Sequence, residues 1–306
     1  MPQSAGAQSL MLGLALEDVR ALAVMVDDRG DVQARASVAP EGDPVAAAVR
    51  ALELVGGVGA EPRVLGVAAA SPESPATALV VAGLAPRFAG PFVQNGATPA
   101  GIAAAVAEAW VGAGRGVQDM VFFGVGAHTI GGIIRGGAPV KGARGRAGSV
   151  GWLSLNPVER EDYRKAGCVE AEVAAAGIVR RMIWRIKAGD RSRVQDMVKD
   201  DLSAITVDHV LDGARAQDGV SISVVRDTAK YLGMAAANLV VVADPERLVL
   251  GGIMASAADL LLEPIRVELA RRLPKAMMDA LAIETATLGD EAVAIGAARM
   301  AGAALQ

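Results

Sequence analysis

Residues 10–38, LMLGLALEDVRALAVMVDDRGDVQARASV, hold two apolar runs broken at Glu17-Asp18, then a polar turn at Asp28-Arg29-Gly30-Asp31. The breaks predict a hairpin over Leu10–Val26 and a third strand over Val32–Val38. Beyond them, Pro44–Leu54 carries helical spacing, and Arg63–Ala70, with Val64, Leu65 and Val67, reads as a buried strand. The order strand, strand, strand, helix, strand is α/β in character. Pro91-Phe92-Val93 reads as a short strand, and Pro99–Val111 as an alanine-rich helix that opens on a proline, which a first helical turn tolerates.

The glycine-rich run Gly112–Gly116 follows, and the second half repeats the plan on a larger scale. Asp119–Val125 is a strand entering a glycine turn, and Ile130–Arg135 with Ala138–Lys141 makes a second hairpin. Gly167–Lys187, Val194–Leu202, Val207–Ala216 and Val220–Val242 are helical by spacing and length. Leu248–Leu250 is a strand ending in Gly251-Gly252, Ala257–Leu273 is an amphipathic helix, and Glu291–Ala304 closes the chain as a helix. At 306 residues the chain is long enough for two lobes, each with its own core. The expected division is an N-terminal lobe over 1–112, with the C-terminal helix 291–306 packing back on it, and a second lobe over 113–290.

The composition narrows the function. The chain is 52% hydrophobic with 3% aromatics, so its cores are built from small side chains, and its net charge of -4 gives no electrostatic reason to bind nucleic acid. The densest basic stretch, Lys141-Gly142-Ala143-Arg144-Gly145-Arg146, reads as a solvated turn. A single cysteine, Cys168, permits no internal disulfide and fits a reducing compartment. No apolar stretch approaches membrane-span length, and the first residues lack the pattern of a signal peptide. The expected location is therefore the cytoplasm, with no membrane partner.

Several segments together resemble one family. Val249-Leu250-Gly251-Gly252-Ile253 after Asp244-Pro245-Glu246, followed by Leu260–Ile265, is similar to the adenosine-binding segment of the ROK (repressor, open reading frame, kinase) family. Leu288-Gly289-Asp290-Glu291-Ala292 through Gly296-Ala297-Ala298 resembles its closing helix. Gly142–Gly148 resembles the loop that leads into its sugar-contacting and zinc segment. The resemblance implies the two-lobe actin-like ATPase (ribonuclease H-like) fold shared with hexokinase, each lobe a mixed sheet flanked by helices. It also implies a sugar and ATP as ligands, and a homodimer.

The same comparison shows where this sequence departs from the pattern. The family's first phosphate loop, Asp-x-Gly-Gly-Thr, is met here by Ala15, Glu17, Asp18 and Val19, so the metal-orienting acid is missing and two acids stand where phosphate would come. Its second loop, Gly-Thr-Gly-Ile-Gly-Gly-Gly, is Gly126-Ala127-His128-Thr129-Ile130-Gly131-Gly132. Side chains of Ala127, His128 and Ile130 replace a hydroxyl donor and two glycines. Gly126, Gly131, Gly132, Gly251 and Gly252 are then vestigial nucleotide-binding positions. The family's catalytic aspartate lies in an Asn-Asp-Ala-Asn run; here Gln94-Asn95-Gly96-Ala97 keeps Asn95 and puts Gly96 at the base position. Glycine cannot take a proton from an attacking hydroxyl. His128 is the one substitute base in view, and no orienting partner for it can be read from the sequence. In the segment where the family has Glu-x-Gly-His, Ser149 and Trp152 take the places of the sugar-contacting residues, and only Cys168 of the zinc cluster remains. Four-coordinate structural zinc is not expected, and Cys168 reads as a small buried hydrophobe. Trp152 either fills a core or stacks on a sugar ring.

These substitutions make a ligand-binding or scaffold protein that has lost phosphoryl transfer the leading expectation, with Asn95, Ser149 and Trp152 as ligand contacts and no cofactor. One alternative is an active kinase of atypical acceptor, which would need ATP and Mg²⁺. Another is the effector-binding part of a ROK transcriptional regulator; about ten residues precede the first strand, too few for a winged helix-turn-helix. The stretch from Pro75 to Pro91 is also short for the family's extra hairpin, so the sugar pocket is expected to be remodelled.

Overall fold

The structure is a computed structural model describing residues 9–56, 64–87 and 96–304. Its contacts fall into two compact units, one of Met1–Gln118 with Gly132–Gly148 and Thr287–Gln306, the other of Asp119–Gly131 with Ser149–Ala286.

The first unit opens with β1 (Met11–Leu16), β2 (Ala21–Val26) and β3 (Val32–Val38), followed by α1 (Pro44–Gly56), β4 (Val64–Ala69), α2 (Pro75–Leu84), β5 (Thr98–Pro99) and α3 (Ala100–Val111). The sheet order is β3-β2-β1-β4-β5, with β1 antiparallel to β2 and parallel to β4. The hairpin and third strand agree with the sequence reading, and so does the turn before β3. There Asp27, buried, accepts the backbone N–H of Arg29 and Asp31 and the side-chain amide of Gln33. Burial explains the unbroken apolar runs of β1, β2 and β4: Leu12, Leu14 and Leu65 meet α1 and α2 on one face. On the other face lies the last helix, α13, described below.

The second unit contains β6 (Met120–Val125) and the start of β7 (Thr129–Arg135), whose far end pairs with β8 (Ala138–Pro139). A 3₁₀ turn at Val150–Trp152 leads to α4 (Glu161–Ala166), α5 (Cys168–Val173), α6 (Ala175–Lys187), α7 (Arg193–Met197), α8 (Val207–Arg215) and α9 (Gly219–Ala243). After these come β9 (Arg247–Gly252), α10 (Ile253–Ser256), α11 (Ala258–Ala270), α12 (Lys275–Ala280) and β10 (Ala282–Thr285). The strand order is β10-β9-β6-β7-β8, and β6, β9 and β10 run parallel. Each sheet is mixed and flanked by helices, as an actin-like two-lobe fold requires.

Some boundaries differ from the sequence reading. The helical pattern over Gly167–Lys187 is two helices, because the backbone turns extended at Ala174 (ψ 159°) and the Ala175 N–H leaves the helix to donate to the Gly126 carbonyl at 2.9 Å. The span Val194–Leu202 is helical only to Met197, after which Lys199 and Asp200 take positive φ. Helix α2 fills the segment after Pro75, capped by Ser74 accepting the Thr77 N–H. Pro91-Phe92-Val93 lies outside the described residues.

Helix α13 (Ala292–Ala303) packs on β1, β4 and α3, all in the first unit. A Cβ on Gly13 would stand 1.8 Å from the Ala294 carbonyl oxygen, one on Gly66 1.9 Å from that of Ala297, and one on Gly296 1.7 Å from that of Ala103. Glycine at these three positions lets backbones meet directly. Glu108 of α3, buried, fixes the approach to the helix by accepting the N–H groups of Thr287 and Leu288 at 3.1 and 3.0 Å.

Candidate functional site

In the first unit, the turn after β1 carries its acids as an ion-paired bend. Arg20 Nε donates to Glu17 at 2.7 Å, and its Nη2 reaches Asp290 at 2.8 Å. Hydrogen bonds donated to these two carboxylates hold the Arg20 guanidinium above its ordinary pKa. Ala15 is fully buried and Val19 is 70% exposed. A Mg-triphosphate does not fit this turn, because the position of the metal-orienting acid is an inward methyl and Glu17 is already engaged. Gly96 is exposed at φ +89°, with nothing within 4 Å of where a Cβ would stand. It precedes β5, so the N-cap of α3 falls to Pro99, and no side chain caps that helix. Asn95 lies outside the described residues. Arg146, from the basic stretch, pairs with Glu73 at 2.6 Å.

The second unit gathers most of the remaining candidates. Strands β6 and β9 pair in register from Met120↔Arg247 to Val125↔Gly252, so the turn starting at Gly126 and the turn starting at Gly252 leave the sheet side by side. Gly251 and Gly252 are demanded by that packing. A Cβ on Gly251 would meet the Phe122 ring at 2.7 Å, and one on Gly252, at φ +62°, the Val125 carbonyl at 2.0 Å. Gly132 is needed by a close approach of another kind, within the first unit: a Cβ there would stand 2.2 Å from the Gly101 carbonyl oxygen of α3. Gly131 is buried in β7. Around Gly126 a Cβ would meet nothing within 4 Å.

The turn itself is internally bonded. The Gly126 N–H donates to the His128 carbonyl at 2.9 Å, and the Thr129 N–H donates to Glu170 Oε2 at 2.6 Å. The other oxygen, Oε1, holds His128 Nδ1 at 2.9 Å. His128 therefore has the orienting partner that the sequence did not reveal. Glu170 reads in sequence as one more acid on an amphipathic helix. Only the break at Ala174 and the seat of α5 carry it across 42 residues to the imidazole.

Burial pushes the Glu170 carboxyl up, but hydrogen bonds from His128 and Thr129 more than offset this and hold it below the ordinary carboxylate value. An ionised carboxylate only accepts, so the shared proton sits on Nδ1. The linkage has a defined sign. A depressed carboxylate contributes stability that is whole above the ordinary glutamate value of 4.5 and is lost as the pH falls through the lowered folded value. In Glu170→Gln that part of the acid sensitivity is expected to vanish, which urea unfolding of both proteins at pH 6 and pH 4 will measure; equal losses in the two would contradict it.

Ser149 and Trp152 stand at the two ends of the 3₁₀ turn. A Cβ on Gly151 would touch Glu170 Cβ at 3.3 Å, and one on Gly167 the Gly151 carbonyl at 2.3 Å, so the turn lies against α5. Trp152 is 59% exposed, which removes the core-filling alternative for its indole. Ser149 is exposed as well. Cys168 is buried and reduced, and among the described residues no group of three His, Cys, Asp or Glu side chains is placed to hold a metal ion. A lone thiol beside Ser149 and Trp152 does not fit structural zinc.

The ROK family model matches residues 96–304, more than half of the chain. The chain belongs to the ROK family. Among curated relatives, this ROK chain is 35% identical over 196 residues to the glucokinase of Halalkalibacterium halodurans, covering 63% of this chain and 59% of that protein. It is 28% identical over 194 residues to the DNA-binding transcriptional dual regulator NagC of Escherichia coli K12, covering 63% of this chain and 46% of NagC. The chain spans roughly half the length of the first curated relatives it matches. The fold agrees with the ROK glucokinase of Streptomyces griseus in complex with glucose and AMPPNP: TM-score 0.80, 24% identity, covering 96% of this chain and all of the other. No helix among the described residues is long and apolar enough to cross a membrane.

Proposed function

We propose that this ROK protein binds a sugar-like ligand and signals or scaffolds with it, without transferring phosphate. One observation carries the reading. Two N–H donors of the turn after β6, which in a phosphate loop would face phosphate oxygens, are taken by the chain's own groups, the Glu170 carboxylate at Thr129 and the His128 carbonyl at Gly126. A triphosphate would have to displace an ionised, partly buried carboxylate and come to rest beside it, a like-charge clash. Gly96 at the base position and the Arg20-paired Glu17 support the same reading. Trp152 and Ser149, exposed at the ends of the turn that lies against α5, supply an aromatic face and a hydroxyl suited to a polyol, and a homodimer is the assembly we infer for it.

A panel of hexoses, acetamido-sugars and polyols with Mg-ATP tests the loss of transfer directly. Turnover is expected to stay far below ~1 s⁻¹, the low end of ordinary enzymes, and a rate above that overturns the proposal. A true ligand at one hundred times its Kd should raise stability by ~2.7 kcal/mol. The His128–Glu170 pair favours a second reading, in which Nε2 of His128 serves as general base of an atypical kinase. Mg-dependent ATP binding by calorimetry, with transfer abolished in His128→Ala, decides for that reading.

A further inference from the structure

A second cavity, of about 530 Å³, opens in the second unit between α6 and α9 and shares no residue with the His128–Glu170 site. Its floor is a buried charge cluster. The Glu172 carboxylate, with its side chain 4% exposed, accepts from Arg181 Nη1 at 2.9 Å, from Arg160 Nη1 at 3.2 Å and from the Tyr163 hydroxyl. One carboxylate thus serves two guanidiniums. Arg181 is itself buried, its Nη2 donates to Thr228, and its Nε, like that of Arg180, is buried with no acceptor.

The charge count over the whole wall comes out positive. Five cations line the cavity, Arg160, Arg180, Arg181, Arg185 and Lys230, against two acids, Glu172 and Asp227. Arg180 and Arg185 are matched by Asp162 and Asp190 from outside the lining. Three cations, Arg160, Arg181 and Lys230, then face two acids, and one positive charge is left over. Lys230 makes no ion pair among the described residues. The surplus sits on Lys230, which is exposed, and it leaves the wall net positive beside the Glu172–Arg181 pair, a field that favours an anion. Beside the charges, Leu155, Val224, Met234 and a 53% exposed Trp184 offer apolar surface, and the volume lies in the range of small-molecule sites.

We propose that this cavity binds a small organic anion, a single phosphate or carboxylate group on an apolar body. The charged group would meet Lys230 and the Arg160–Arg181 floor, and the body would lie against Trp184 and Met234. The test is calorimetry on the full chain at constant ionic strength with phenyl phosphate, benzoate and inorganic phosphate, alongside Trp184 fluorescence. Saturable one-to-one binding of phenyl phosphate or benzoate is expected, with the tighter of the two assigning the head group. Binding should weaken about tenfold in Lys230→Ala, the loss of one charge-assisted contact, and further in Lys230→Glu. The fluorescence change should disappear in Trp184→Phe. Three outcomes overturn the proposal: no saturation by any probe at millimolar concentration, an affinity indifferent to both Lys230 variants, or inorganic phosphate binding as tightly as the two aromatic anions. A change of oligomeric state in Trp184→Glu with no anion binding in the parent would make this face a protein contact instead.

Discussion

Glu172→Ala is expected to destabilise the protein by about 3–5 kcal/mol, the range found when one partner of a buried ion pair is removed. The side chain is 4% exposed, and its loss strands the buried Arg181 guanidinium together with Arg160 and the Tyr163 hydroxyl. Desolvation already pulls Arg181 below its ordinary pKa, with Glu172 as the chief opposing influence, so the remaining charge would have nothing of comparable strength to answer it. Urea unfolding followed by tryptophan emission measures the effect, with Trp184 and Trp152 reporting on the second unit and Trp110 on the first. Glu172→Gln keeps the shape and the acceptor oxygen and should lose less than Glu172→Ala. A loss under ~1 kcal/mol in Glu172→Ala, the level of an exposed pair, would mean that water reaches the cluster freely.

Gly296→Ala should cost about 3 kcal/mol, although alanine is the better helix former by about 1 kcal/mol. The added methyl would sit 1.7 Å from the Ala103 carbonyl oxygen, and the obstacle is backbone, so α13 and α3 must separate. Gly302→Ala on the same helix provides the control. There the methyl would meet Met11 Sδ, the end of a flexible side chain that can swing away, and the variant is expected to be neutral or slightly stabilised. Equal effects of the two substitutions would remove the argument that direct backbone contact seats this helix.

Strands β1, β2 and β4 of the first sheet were legible because each is an unbroken apolar run, and β3 because the turn around Asp27 sets it off; β5, two residues long, was not. Helix α2 was not, because PATALVVAGL is apolar all round and has no stripe to reveal its period. Strand β10 was missed for a related reason: AIET is four residues long, and its pairing with β9 is a long-range fact. At the site, the residues that depart from the ROK pattern could be named from sequence, while their partners could not. His128 looked isolated and Trp152 looked equally suited to a core. The placement of Glu170 and the exposure of the indole both depend on how α5 docks against the turn at Gly151, which no local pattern encodes.

The seam of glycines between α13 and the first sheet has a consequence for biosynthesis. A ribosome releases β1 and β4 well before the helix that covers their second face, with the whole second unit translated in between. Until then an apolar surface of the nascent chain lies open to solvent, a state prone to aggregation. The first sheet is therefore covered only after the second unit has been made, and a premature stop before residue 292 should yield a chain that depends on chaperones to stay in solution.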